Sequence, residues 1–218
     1  MTPSVPNADS EYYAATRAEL RGFLPERYSR VLEIGCGRGG FSSNLAETAE
    51  TWGVEPFRDA AEIAKKSLNN VLIGKYEEVQ PQLPNAIFDL VICNDVIEHM
   101  ADDFGFLMSV REKMCTGGYL MGSIPNMRYF PVLKDLMFNK EWEYHDEGVL
   151  DRTHLRFYTI RSFPKLLMRA GFDVVRFSGI NRYWQRKGWI TRSLLKTQWF
   201  EDTQWMQFAF LARMSSSS

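Results

Sequence analysis

The stretch "VLEIGCGRGG", residues 31–40, limits what this chain can fold into more than any other part of it. A short apolar run stops at a cluster of glycines and is followed by "GFSSNLAETAE". A buried strand emptying into a glycine turn and then a helix is the usual start of a site for a nucleotide-like ligand, because the turn lets the backbone approach that ligand closely. Two spacings overlap here. Gly35-x-Gly37-x-x-Gly40, with Glu55 on the next strand, fits a dinucleotide fingerprint. Glu33-x-Gly35-x-Gly37-x-Gly39 fits a different nucleoside cofactor.

Further apolar runs place the turn in a larger pattern. "TWGVEP" predicts a second strand, "NVLIG" a third, "FDLVICN" a fourth and "GGYLMGSIPN" a fifth. Residues 39–50, 58–68 and 102–115 carry helical spacing between them, and Ser10 to Leu24 predicts a helix ahead of the first strand. "FDLVICN" is nearly continuous in apolar residues, as a strand covered on both faces must be. Alternating strands and helices imply a parallel sheet with crossover helices, whose ligands sit beyond the carboxyl ends of the strands. Glu55, Asn94, Asp95 and Asn126 all fall at such ends and are expected to face one crevice.

After residue 126 the pattern changes. Residues 127–156 hold Tyr129, Phe130, Phe138, Trp142, Tyr144 and His145 among acidic residues and predict an inserted lid. A helix over 159–170 closed by Gly171, a strand "FDVVRFSGI" and a last strand "WMQFAFLARM" follow. Residues 1–218 therefore read as one domain: an N-terminal helix or lid (1–27), a cofactor-binding half (28–126), the lid insertion (127–156), a C-terminal helix and strand pair (157–214) and a disordered tail (215–218).

The formal net charge of −1 gives no reason to expect a nucleic-acid partner. Cys36, Cys93 and Cys115 lack a paired metal spacing and read as reduced thiols of a cytoplasmic protein. "MTPSVPNADS" has no basic residue ahead of an apolar run, so no signal peptide is expected, and no run is long enough to span a membrane.

Electrostatics separate the two cofactors. A dinucleotide brings a pyrophosphate to the first glycine turn, and Glu33 would repel it. A carboxylate there suits a cationic ligand such as the sulfonium and ammonium of S-adenosylmethionine, by about 1–4 kcal/mol per pair in a wet site. Glu55 does not discriminate, since either cofactor offers ribose hydroxyls.

"VLEIGCGRGGF", "GVEPFRDAAEIAKK", "FDLVICNDVIEHM" and "GGYLMGSIPN", with a closing strand pair, together resemble the S-adenosylmethionine-dependent methyltransferases of the Rossmann-like class over about residues 11–180. "NDVIEHM" with "LDRTHLRFYT" is similar to the small methyltransferases of bacterial O-antigen and cell-surface glycan biosynthesis, and more distantly to ubiquinone-biosynthesis O-methyltransferases. The resemblance implies an α/β Rossmann-like sandwich, with a seven-stranded, mostly parallel sheet, an antiparallel C-terminal strand and a helical lid. It implies S-adenosyl-L-methionine as cofactor and S-adenosyl-L-homocysteine as product.

On that resemblance Gly35, Cys36, Gly37 and Gly39 border the cofactor, Glu33 lies near its amino group, and Glu55 accepts from both ribose hydroxyls. Pro56 and Phe57 flank the adenine, Asn94 and Asp95 line the methionine end, and Tyr13 and Arg17 fold over from the N-terminal helix. Lys75 stands where the family often has an acid for the adenine amino group, so backbone groups or Tyr76 take that place.

For methyl transfer to oxygen, His99 or His154 is the candidate general base, with a structural role the alternative for each. Asn126, Tyr129, Asp151, Arg152 and Arg156 are candidates for substrate contact, the last three alternatively for an ion-pair network closing the lid. No metal is expected, since Glu98, His99, Asp146 and Glu147 form no specific ligand pair. Residues 181–199 carry Arg182, Arg186, Lys187, Arg192 and Lys196 with three tryptophans and no acid; they read as a connector, a sugar or diphosphate contact, or at most a peripheral membrane contact. The expected acceptor is a small molecule or glycan, for a monomer or homodimer. The rival readings are a small aromatic or quinone-like acceptor, a non-catalytic scaffold of the same fold, and an NAD-dependent oxidoreductase.

Overall fold

The computed structural model describes residues 16–183 and 199–215. Ser10, Tyr13, residues 184–198 of the basic stretch and Ser216–Ser218 lie outside the described residues. Seven strands, β1 (Arg30–Ile34), β2 (Glu50–Glu55), β3 (Asn70–Ile73), β4 (Phe88–Asn94), β5 (Met114–Pro125), β6 (Phe172–Arg182) and β7 (Trp205–Met214), form one sheet in the order β3-β2-β1-β4-β5-β7-β6. The first five of these are parallel, and β7 runs antiparallel to both β5 and β6. This is the Rossmann-like arrangement expected. β1 lies between β2 and β4, with Glu33 opposite Gly53 on one side and Ile92 on the other. Strand order reverses there, which opens the crevice beyond Ile34 and Asn94.

The helices α1 (Arg58–Ala64), α2 (Tyr76–Val79), α3 (Asp103–Lys113), α4 (Phe130–Lys134) and α5 (Ser162–Arg169) are short. α3 and α5 bury Phe106, Leu107, Val110, Phe163, Leu166 and Leu167 against one face of the sheet, through Leu32, Val91, Leu120, Phe208 and Phe210. Phe163 meets Phe210 edge-on at 4.9 Å. The other face, carrying Val31, Leu90, Ile92, Met121 and Leu211, is covered by Leu20, Phe23 and Phe41.

Those three residues sit on 3-10 turns where longer helices are expected. After the glycines only Gly40–Asn44 is helical. The Ser42, Ser43 and Asn44 side chains donate to the carbonyls of Gly39, Gly40 and Phe41, so local polar groups compete with the helical ladder. Among the described residues ahead of β1, helix covers only Ala18–Phe23, because Arg17 turns left-handed at φ 49° and Pro25 follows. α5 ends as expected, with Gly171 at φ +79°.

α4 runs into a π-helical turn, Asp135–Asn139, and residues 140–161 carry only isolated bridges. Asn126, expected as a substrate contact, is instead fully buried. Its amide nitrogen donates to the carbonyls of Asp202 (2.9 Å) and Trp205 (2.9 Å), and its oxygen accepts from Arg128 N–H (2.9 Å). It fastens the end of β5 to the entry of β7. Asn126→Ala strands these backbone groups and should lower unfolding free energy by about 1–3 kcal/mol in urea denaturation; an unchanged midpoint would refute the fastening role.

Candidate functional site

The glycine turn is held by its neighbours on both sides. Gly35 and Cys36 N–H donate to the Val54 carbonyl at 2.8 and 3.2 Å. Gly35 has φ +71°, and a Cβ there would lie 2.8 Å from a Val96 methyl, so both conformation and space require glycine. Glu55, buried at the end of β2, accepts from Gly37 N–H (2.8 Å) through one oxygen and Phe57 N–H (3.0 Å) through the other. Burial raises its pKa, against the pull of those two N–H groups. Cys36 is buried, its thiol pushed well up by burial and by Glu33 and Glu55.

Glu33 faces the same side of the sheet as Val31 and is 4% exposed. Burial, then the nearby Glu55, pushes its pKa up to about 8. One of its oxygens is buried without a partner, as are both amide atoms of Asn94. The carboxylate invoked above as a standing charge is therefore a protonated acid at neutral pH until a cation arrives.

At the end of β4, Asp95 adopts the left-handed conformation (φ 53°). Its carboxylate accepts from Ser123 Oγ (2.8 Å), Gln207 Nε2 (2.8 Å) and the Arg17 guanidinium. Arg17 also donates to Ser123 Oγ (3.1 Å). Burial disfavours the guanidinium charge, but Asp95 more than compensates and raises its pKa. Ser123 and Gln207 were not singled out from the sequence; the one available signal was a glutamine inside the apolar run of β7. Phe57 is half-buried and Pro56 exposed at the rim. Tyr76 departs from its expected place at the adenine: it is 3% exposed, packs against Phe106 (5.1 Å) and takes a hydrogen bond from Ser109. Lys75 is exposed at the start of α2.

The two candidate bases come together. The His99 and His154 rings meet edge-on at 4.8 Å, and His154 Nε2 lies 3.9 Å from a carboxylate oxygen of fully buried Glu98. Thr153 and Val149 carbonyls face His99 Nδ1 (3.2 Å) and His154 Nδ1 (3.0 Å). A carbonyl only accepts, so each Nδ1 carries the proton and each Nε2 is left with its lone pair. Burial and the neighbouring His154 lower the pKa of His99, while burial and Asp95 raise that of Glu98 well above the carboxylate range. Leu155 and Arg156 N–H both donate to the Glu98 carbonyl, at 2.8 and 2.9 Å, clamping "THLR" against "IEHM".

The residues expected at the substrate are engaged in that clamp or elsewhere in the lid. Asp151 accepts from Thr153 N–H, Arg152 pairs with exposed Asp146 (2.9 Å), and the Arg156 guanidinium donates to the Ala101 carbonyl. Of the three, only Arg152 has an ion pair among the described residues, so they form no ion-pair network with one another. Tyr129 stands edge-on to Tyr183 at 5.6 Å.

The profile of the methyltransferase domain family (Methyltransf_23) matches residues 8–176. The chain belongs to this family. Its cofactor is S-adenosylmethionine. Among curated relatives, the mitochondrial ubiquinone biosynthesis O-methyltransferase of Schizosaccharomyces pombe is 38% identical over 100 residues, 42% of this chain and 36% of that protein. The ubiquinone biosynthesis O-methyltransferase of Cereibacter sphaeroides is 28% identical over 169 residues, 74% of this chain and 67% of that protein. The chain thus spans only about a third of the first relative's length. A SAM-dependent methyltransferase structure from Archaeoglobus fulgidus shares the fold, with a TM-score of 0.69 at 21% identity, covering 93% of this chain and 96% of that one.

The methyltransferase's own residues fit this cofactor. The unpartnered Glu33 oxygen and Asn94 amide stand ready for polar groups, and Glu55 can accept from ribose hydroxyls. A cationic ligand favours the charged form of Glu33, so binding at pH 7 should release most of one proton. Calorimetry in buffers of different ionisation enthalpy checks this; buffer-independent heats would refute it, and Glu33→Gln should abolish the release. The same group affects the unliganded protein. Its folded pKa of about 8 exceeds the ordinary 4.5, so its contribution to stability is full below about 4.5 and lost as pH rises through 8. Glu33→Gln should flatten that loss in thermal melts.

Proposed function

We propose that this methyltransferase methylates a hydroxyl oxygen of a sugar or glycan precursor. The observation that carries O-methylation is the His99–His154 pair beside Glu98, just past the end of β4. S-adenosylmethionine supplies a methyl group on a cationic sulfur; the acceptor oxygen bonds to that carbon in line, the C–S bond breaks with its electron pair staying on sulfur, and the acceptor's proton has to leave. Two imidazoles whose Nε2 atoms hold lone pairs provide for that proton, and the depressed pKa of His99 keeps it neutral and ready near pH 7. Glu55 and Glu33 hold the donor, and the segment 149–156 holds His154.

A second acceptor class has its own support. The lid exposes Met137, Phe138 and Trp142, with Trp142 edge-on to Tyr144 (6.4 Å) and Phe157 (5.9 Å), an apolar face suited to a small aromatic or quinone-like ring. The ubiquinone-biosynthesis relatives favour the same class. Among the described residues no helix is long and apolar enough to cross a membrane.

Release of S-adenosylhomocysteine, screened over nucleotide sugars, glycans and phenols, distinguishes the two; turnover of phenols alone would overturn the sugar reading, and no turnover of any would favour the scaffold. Glu55→Ala should abolish cofactor binding in calorimetry. His99→Ala and His154→Ala should keep cofactor affinity within about twofold and lower kcat by about 10²-fold or more; unchanged kcat in both would remove the pair from the chemistry.

A further inference from the structure

The stretch that contains α5, residues 160–170, carries its charges in one row. Arg161, Lys165 and Arg169 follow one another at intervals of four residues, all three are exposed, and the stretch holds no acid. Four residues advance a helix by about 6 Å on one face, so the cations form a stripe. Uncovered apolar surface lies beside it. Phe104 and Met108, one turn apart on α3, and Met168 on α5 are 36%, 38% and 58% exposed. The Arg169 guanidinium reaches across to the Phe104 ring (5.4 Å), which joins the two helices into one outer face. An apolar patch rimmed by charge is the composition of a surface that meets another protein surface.

The lid has the opposite character. Residues 139–148 hold Glu141, Glu143, Asp146 and Glu147 against the single cation Lys140, and residues 141–148 are exposed. Trp142 meets Tyr144 at 6.4 Å and Phe157 at 5.9 Å. Rings two positions apart on one side mark an extended chain, whose other side carries Glu141 and Glu143. Two extended residues span about 7 Å, close to the step of the cation stripe. Phe157 stands four positions before Arg161, so the acidic and basic patches border each other. They do not neutralise each other: Asp146 pairs with Arg152, but among the described residues Glu141, Glu143, Arg161 and Lys165 take part in no ion pair.

We infer that the partner of this surface is a second copy of the chain. Glu141 and Glu143 of each lid lie along Arg161 and Lys165 of the other copy, with the Phe104–Met108–Met168 patch inside the contact. A surface bearing both signs side by side is self-complementary about a two-fold axis, and such a dimer makes every contact twice. Exposed ion pairs contribute little by themselves. The apolar patch therefore supplies the adhesion, while the charges set the register and exclude other pairings. Trp142 stays turned toward Phe157 of its own chain. The lid runs directly into the strap 149–156, so each copy braces the segment that bears the other's His154.

Sedimentation velocity over a range of protein concentration, at about 0.05 M and about 0.5 M salt, reads this out. The unsubstituted chain should form dimers, more weakly at the higher salt. Glu141→Lys with Glu143→Lys, and separately Arg161→Glu with Lys165→Glu, should each weaken dimerisation by about a hundredfold or more, because each sets like charges together. The milder pairs Glu141→Gln with Glu143→Gln and Arg161→Gln with Lys165→Gln should each cost about tenfold. An equimolar mixture of the two charge-reversed variants should recover the dimer: the reversed lid of one meets the reversed helix of the other, and the two unchanged halves meet in the second contact. S-adenosylmethionine binding, unchanged in every variant, certifies folding, since none of the four positions touches the glycine turn or Glu55. Failure to recover on mixing would assign these charges to pairing within one chain and overturn the inference. A chain that stays monomeric throughout, or a dimer indifferent to both pairs, overturns it too.

Discussion

The parallel pairing of β1 with β2 on one side and β4 on the other is the constraint on which the rest of the site depends. It sets the glycine turn, Glu55 and the Asn94–Asp95 corner at the same end of the sheet. The turn is then closed by backbone groups: the Val54 carbonyl takes two of its amides, and Glu55 takes a third from Gly37. Together these bonds tie the turn to the end of β2. The glycine turn is accordingly already formed in the protein without ligand.

The site also gathers acids that the fold does not satisfy internally. Glu33 and Glu98 are both buried with unpartnered oxygens, and both titrate high for that reason. Asp95 differs, since Arg17, Ser123 and Gln207 meet its carboxylate. The contrast separates a carboxylate that the architecture satisfies from two that it leaves without a full set of partners. A positive group bound beside either glutamate would offset that cost.

Apolar pattern revealed the strands well because burial on both faces leaves little freedom: β4 and β7 begin and end where "FDLVICN" and "WMQFAFLARM" do. Helix lengths were harder to read. Serine and asparagine side chains after the glycines bond to the preceding carbonyls, and that choice between ladder and local bond is invisible to periodicity. Glu55 and the glycines were readable because one strand and its turn define them. Asn126 misled because position at a strand end does not tell which backbone returns to cover it; residues 202–205 do. The His99–His154 pair was readable only as two separate histidines, since they stand 55 positions apart in the chain.

That separation gives the clamp on the Glu98 carbonyl a meaning beyond packing. The same two amides, of Leu155 and Arg156, fix the strap that bears His154 to the turn that bears His99. Peeling the strap from the turn would break both bonds at once and dismantle the imidazole pair, while the donor's glycine cradle, built from β1 and β2, stayed whole. The glycine cradle and the imidazole pair are thus mechanically separable in this fold, and the strap over 149–156 is the part that divides them.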